Sequence, residues 1–209
     1  KAGDYIPGNM YFTTTKAHID INGGQILEIY TEEALKLKSD HPFKGNLDLE
    51  KFAAVIEKYG AAKIPYVRME ASTNLIGGQP FSVQNLADIR RVCDEFGLML
   101  VMDASLLADN LHFIKEREEA CKDLSIREIT RRMADLCDVI YFSARKLGCA
   151  RGGGMCIRSE ELYRRMRGLQ TRHWLESALR RTAVPFAVTA AGLALIGYAL
   201  HAYAPEAHT

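Results

Sequence analysis

The fold is decided by residues 97–103, Gly-Leu-Met-Leu-Val-Met-Asp, in which an apolar run lies between a glycine and an aspartate. A short continuous apolar run of this kind is typical of a strand that is buried on both faces of a parallel sheet. Gly97 suits the end of a preceding helix, and Asp103 stands where the strand ends. The stretch therefore predicts an α/β fold with a carboxylate at the carboxyl end of an inner strand.

Strand and helix patterns alternate on both sides of this run. Further strands are predicted at 64–71, 139–143 and 152–157. Helices are predicted to begin after the N-cap residues Asp48, Ser82, Ser125 and Ser159, the last three ending near 96, 136 and 168. This alternation indicates a mainly parallel sheet with helices on its faces. We expect one such domain over residues 1–169 and a divergent apolar tail over 170–209.

The composition is that of an ordinary globular protein. The 209 residues are 48% hydrophobic and 25% charged with a net charge of +1, so nothing points to nucleic acid as a partner. Five cysteines occur without a C-x-x-C pair, mostly inside apolar runs, which favours reduced, structural thiols and a cytoplasmic setting. The first residues do not include the apolar segment of a signal peptide.

The tail contains an alanine-rich stretch, 182–204, in which His201 is the sole side chain that can carry charge. Its length is sufficient to cross a membrane. Alanine and threonine make it only moderately hydrophobic, however. A buried helix or a replaced terminus is therefore favoured over membrane contact.

Asp103 and Lys146 are the candidate chemical groups. Ligands of parallel sheets bind beyond the carboxyl ends of the strands, where Asp103 lies and where Ser143 is followed three residues later by Lys146. Asp103 suits either the N-cap of the next helix or the partner of a buried cation. A lysine amine can capture a carbonyl cofactor, and pyridoxal 5'-phosphate (PLP) also needs a carboxylate beside its ring nitrogen. The pair therefore suggests PLP.

Ser143 and Lys146 also match S-x-x-K, in which a lysine activates a serine for acyl transfer. The S-D-N and K-T-G motifs that accompany it are absent from the sequence. The glycine run 152–154 could cradle a phosphate or allow close packing at the start of a strand. Neither feature decides the chemistry alone.

Several ordered motifs make residues 1–169 resemble the aromatic amino-acid β-eliminating lyases, the tryptophanase and tyrosine phenol-lyase family. The matching stretches are 8–15 (Gly-Asn-Met-Tyr-Phe-Thr-Thr-Thr), 43–45, Asn74 with 77–80 (Gly-Gly-Gln-Pro), 101–103, 113–115 and 143–146 (Ser-Ala-Arg-Lys). The resemblance implies the large domain of a fold type I PLP enzyme. It also implies an amino-acid substrate, a homo-oligomer and a monovalent cation such as K⁺.

The resemblance also assigns roles to individual residues. Lys146 would bind PLP covalently and move the α-proton, while Asp103 would pair with the ring nitrogen. The other implied cofactor contacts are Phe12 stacked on the ring, Thr13 beside it, Asn74 at the 3-oxygen, and Ser143 with Arg145 at the phosphate. The implied reaction removes the α-proton and expels indole or phenol, leaving pyruvate and ammonia.

Two alternatives remain within this family. Residues 15–19 and 21–24 look more like tryptophanase, which favours tryptophan as the substrate, with tyrosine as the alternative. The family's chains extend beyond this one on both sides, and Leu106 stands where its pattern has an arginine. Both departures also fit a catalytically inactive remnant or an assembly partner.

Overall fold

The computed structural model describes residues 1–148 and 150–168 of the chain. It divides into a compact unit, Lys1–Arg158, and a second unit that begins at Ser159. Of the second unit, residues 160–168 are helical, and the Ser159 hydroxyl accepts a hydrogen bond from the Leu162 N–H at 3.2 Å, as the N-cap predicts. The apolar tail 170–209, including 182–204, and Cys149 lie outside the described residues.

The first unit is built on one six-stranded sheet. The strands are β1 (Tyr5–Gly8), β2 (Gln25–Glu28), β3 (Val67–Glu70), β4 (Leu100–Asp103), β5 (Val139–Ser143) and β6 (Gly153–Ile157). They lie in the order β2-β1-β3-β4-β5-β6. All neighbours are parallel except β5 and β6, which are antiparallel. The predicted α/β class with a mainly parallel sheet is confirmed.

Six α-helices lie in the described part of this unit. They are α1 (Thr13–Ile21), α2 (Leu49–Tyr59), α3 (Val83–Phe96), α4 (Leu107–Arg117), α5 (Ile126–Leu136) and the single turn α6 (Ala144–Leu147). The predicted caps set the bounds of three of them. Asp48 and Ser82 accept backbone N–H groups at the starts of α2 and α3, Gly97 ends α3 with φ at +65°, and Ser125 opens α5 with a capping box.

The core lies between the sheet and its helices. All four residues of β4 are buried, as expected for an inner strand. From α3, Leu86, Ile89 and Cys93 pack into the same core cluster. Each fully buried aliphatic side chain contributes about 1.5–3 kcal/mol relative to the exposed state, so this face fixes α3 on the sheet.

Four cysteines in the described residues are free thiols. Cys93, Cys121 and Cys137 are buried and Cys156 is exposed. Their free state agrees with the predicted structural role of the buried thiols. No helix within 1–148 or 150–168 is long and apolar enough to cross a membrane.

The strand order reverses beside β1. From β1 the chain passes to β2 on one side, and then returns to place β3 on the other side. Ligands of open α/β sheets bind beyond the carboxyl ends of the strands at such a switch point. A ligand site is therefore expected in the segments that follow β1, β3, β4 and β5.

Candidate functional site

A cavity of about 530 Å³ opens at the carboxyl ends of these strands. It brings together five of the seven predicted site residues, namely Phe12, Asp103, Ser143, Arg145 and Lys146. Other lining residues are Thr14, Thr15, His18, Glu70, Ala71, Ser105, Leu106, Tyr141, Phe142 and Gly152. The cavity combines an amine, a carboxylate and an aromatic face, which is a chemically versatile set.

Lys146 and Phe12 face each other across this cavity. The Lys146 Nζ atom lies 4.8 Å from the centroid of the Phe12 ring, a cation–π distance. Phe12 is fixed by its position before α1 and by its backbone N–H, which donates to Glu70 Oε2 at 3.1 Å. The Lys146 side chain is exposed, and no acidic side chain in the described part of the chain forms an ion pair with it. The amine is therefore accessible to a ligand in the cavity.

Asp103 is buried at the end of β4, with 7% of its surface exposed. Its Oδ2 atom accepts a hydrogen bond from Arg68 Nη2 at 2.5 Å, and its Oδ1 atom accepts one from the Ser105 N–H at 3.0 Å. The next helix, α4, begins at Leu107 with Leu106 as its N-cap, so the N-cap alternative for Asp103 is wrong. Asp103 is instead the partner of a buried cation.

That cation, Arg68, was not recognised from the sequence. All three of its guanidinium nitrogens are engaged: Nη2 with Asp103, Nη1 with Glu70 Oε2 at 3.0 Å, and Nε with the Tyr141 hydroxyl oxygen at 2.7 Å. Burial opposes its charge, but Tyr141, Asp103 and Glu70 together raise the pKa of Arg68 above its ordinary value. Arg68 therefore stays cationic beside the cavity.

Tyr141 completes this cluster as a neutral group. Burial is the main reason that its pKa rises to about 12, with Arg68 lowering it and Asp103 raising it. The phenol is consequently protonated at neutral pH. A signal for the cluster was present in the sequence, because Arg68 and Glu70 are opposite charges at i and i+2 on one strand and so share a face.

Thr13 and Asn74 are not among the residues that line the cavity. Thr13 is exposed at the start of α1. The Asn74 side chain is also exposed, and its backbone N–H donates to Glu70 Oε1 at 3.1 Å. Their assigned cofactor contacts stay predictions.

A buried asparagine, also missed from the sequence, fixes the loops behind the cavity. Asn9 follows β1 and donates to the carbonyl oxygens of Gly45 and Glu70 at 2.9 and 3.1 Å. Its Oδ1 atom accepts the Glu70 N–H at 2.9 Å. Because these bonds join segments far apart in sequence, they hold the ends of β1 and β3 in register.

Comparison with known proteins adds a family to this geometry. A family model described as beta-eliminating lyase matches residues 3–207. The tyrosine phenol-lyase of Symbiobacterium sp. (strain SC-1) is 44% identical over 161 residues, which are 77% of this chain and 35% of that protein. The tyrosine phenol-lyase of Pasteurella multocida is 42% identical over 78% of this chain and 36% of its own length. The chain thus spans about a third of these relatives.

Solved structures agree on the fold. A protein provisionally assigned as an L-allo-threonine aldolase from Listeria monocytogenes has a TM-score of 0.57 at 17% identity, covering 81% of this chain and 40% of that one. A PLP-bound protein provisionally assigned as an aminotransferase from Clostridium difficile has a TM-score of 0.53 at 14% identity, covering 82% and 40%. The expected large-domain fold of fold type I enzymes is confirmed.

Proposed function

Because the chain belongs to the beta-eliminating lyase family, we propose that its cavity binds PLP and serves β-elimination from an aromatic L-amino acid. The observation that carries the proposal is that Lys146, Phe12 and Asp103 line one cavity. These residues match what the cofactor needs: an amine for its aldehyde, an aromatic face for its ring and a carboxylate for its ring nitrogen. The residues present therefore fit the group.

Bound PLP supplies an electron sink that stabilises negative charge at the α-carbon of an amino acid. The chain's own residues would position the cofactor and move the proton. Phe12 offers its ring face as a stacking surface, and Lys146, 4.8 Å from that ring, is placed to hold the cofactor and to move the proton at the substrate α-carbon. Arg145 and Ser143 line the same cavity and are the proposed phosphate contacts.

Tyrosine is the better-supported substrate. The two relatives described above, at 44% and 42% identity, are both named tyrosine phenol-lyase. This supports the alternative substrate rather than tryptophan, which residues 15–19 and 21–24 favoured. A cytoplasmic location, supported by the free buried thiols, and a homo-oligomer that binds a monovalent cation are further parts of the proposal.

The cofactor part is tested by borohydride trapping. The protein is incubated with PLP, reduced, digested, and its modified lysine is identified by mass spectrometry. We expect the modification at Lys146. In Lys146→Ala, both the modification and the visible absorbance band should be lost. The matched control is Lys38→Ala, which removes an exposed lysine outside the cavity. Equal labelling of the wild type and Lys146→Ala would contradict the proposal.

The reaction is tested by product analysis on the same protein. We expect pyruvate from L-tyrosine with an equal amount of phenol, exceeding the indole formed from L-tryptophan. Indole in excess of phenol would reverse the substrate preference. Specific attachment of PLP at Lys146 without pyruvate from either substrate would identify a catalytically inactive member of the family.

A further inference from the structure

A row of polar side chains crosses three neighbouring strands near their carboxyl ends. In the sheet register Glu70 on β3 lies opposite Asp103 on β4, and Asp103 lies opposite Tyr141 on β5. Two carboxylates side by side on adjacent strands repel each other, more strongly when they are buried. Glu70 is 5% exposed and Asp103 7% exposed, so a nearby cation is needed to offset the repulsion between them.

Arg68 is that cation. It lies two residues before Glu70 on β3 and is 1% exposed. Its Nη1 and Nη2 atoms bind one carboxylate each, and its remaining nitrogen binds Tyr141. These three bonds engage every guanidinium nitrogen, so residues of β3, β4 and β5 fix the position of Arg68.

The two carboxylates are neutralised to different extents. Glu70 accepts the N–H groups of Phe12 and Asn74 in addition to Arg68. Asp103 accepts a single backbone N–H, from Ser105, in addition to Arg68. Formal charges of +1 for Arg68 and −1 for each carboxylate leave a net charge of −1 on the cluster. Because Arg68 pairs with both carboxylates, Asp103 does not face a ligand as an unpaired charge.

We propose that Arg68 is a positioning residue that weakens the hold of Asp103 on a proton at the ring nitrogen of the bound cofactor. The inference rests on the proposed function. It depends on geometry. The carboxylate that would accept the cofactor's N–H is that of Asp103, and Arg68 already binds this carboxylate at 2.5 Å. The other charged or titratable groups around Asp103 are Glu70 and Tyr141 on the neighbouring strands and His18, Arg145 and Lys146 in the cavity lining.

The wild-type protein provides the first test, through the affinities of PLP and of its 1-deaza analogue, in which C–H replaces the ring nitrogen. A free carboxylate that hydrogen-bonds a charged N–H would favour PLP by about tenfold or more. With Arg68 in place we expect a smaller preference. A wild-type preference above about tenfold would overturn the inference, and this measurement needs no variant to fold.

The second test removes the cation at constant net charge. The double variant Arg68→Met/Glu70→Gln leaves Asp103 as the single charge of the cluster, which stays at −1. Its preference for PLP over the deaza analogue should exceed that of the wild type by about tenfold or more. An unchanged preference in a double variant with native circular dichroism would overturn the inference.

The matched control is Arg90→Met. Arg90 forms an ion pair with Asp138 at 2.7 Å in the same unit, but neither residue lines the cavity. It should lower stability without changing the preference for PLP over the deaza analogue. If the wild type binds neither compound, the proposed function and the inference both fall; if it binds both through Lys146 but the double variant behaves like the wild type, the inference alone falls.

Discussion

At the residue scale, Asn110 on α4 satisfies three buried backbone groups with one side chain. Its Oδ1 atom accepts the N–H groups of Ser72 and Phe81 at 2.9 and 3.1 Å, and its Nδ2 atom donates to the Phe81 carbonyl at 2.9 Å. Ser72 has φ at +50°, a conformation that a non-glycine residue adopts only when its surroundings require it. Asn110 therefore holds a strained segment directly after β3.

We expect Asn110→Ala to lower the free energy of unfolding by about 3 kcal/mol, because it leaves two buried backbone donors and one acceptor without a hydrogen-bond partner. Urea denaturation followed by circular dichroism measures this loss. The matched control is Asn22→Ala, because Asn22 is exposed and its side-chain amide donates to the His18 carbonyl at 2.7 Å. A loss at position 110 no larger than at position 22 would show that the strained segment does not depend on Asn110.

The cluster around Arg68 could not be predicted from the sequence. Residues 64–71 were predicted to be a strand, but nothing in a single strand tells whether Arg68 and Glu70 face solvent or a neighbour. The answer depends on Asp103 and Tyr141, which join the cluster only through the register of β3, β4 and β5. The place of Asp103 and Lys146 at the cavity could be predicted, because Asp103 ends a strand and Lys146 follows the end of another by three residues.

At the element scale, β1 depends on close approach at its last residue. A Cβ atom on Gly8 would lie 2.5 Å from the Arg68 carbonyl oxygen and 2.7 Å from Cε2 of Tyr11. Neither neighbour can move freely, because the first is backbone of β3 and the second is a buried ring whose hydroxyl donates to the carbonyls of Ile6 and Pro7. A glycine at this position therefore lets the two strands and the turn before α1 pack together.

We expect Gly8→Ala to cost about 1–3 kcal/mol of stability, since overpacking displaces β1 from β3. Thermal or urea unfolding measures the loss. Gly148→Ala is the matched control, because a Cβ there would meet only the Ala144 carbonyl oxygen at an ordinary 3.5 Å. Equal stability of the two variants would mean that the strands separate at no cost.

Elements with strong local signals were predicted and those with weak signals were not. The strands β4 and β5 and the capped helices α2, α3 and α5 followed from apolar runs and N-caps, although only Val139 of β5 is fully buried. β1 was missed because Pro7 and Gly8 weaken a four-residue strand pattern. α1 was missed because it begins with three threonines, which are poor helix formers, and has no acidic residue in its first turn.

At the scale of the whole molecule, the direction of β6 follows from chain length rather than from its residues. Ser143 pairs with Gly153, so fewer than ten residues connect β5 to β6. A parallel crossover needs about a dozen residues or more, and the connection is therefore antiparallel. The sequence 152–157 alone did not contain this information.

Stability of the sheet unit should fall steeply in alkali because of two core thiols. Burial is the main cause that raises the pKa of both Cys93 and Cys137 to about 12. In the unfolded chain a thiol loses its proton near pH 8.5. Between these values the unfolded state binds fewer protons than the folded state, so the free energy of unfolding decreases as pH rises.

Between pH 8 and pH 10 each thiol should remove about 2 kcal/mol from the free energy of unfolding. Urea denaturation at a series of pH values gives the slope, and the double variant Cys93→Ala/Cys137→Ala corrects for lysine and tyrosine titration. We expect this variant to start from a lower stability, because alanine leaves small cavities, but to lose less between pH 8 and pH 10. Parallel pH profiles would mean that both thiols ionise as readily in the folded protein as in the unfolded chain, contrary to their burial in the core.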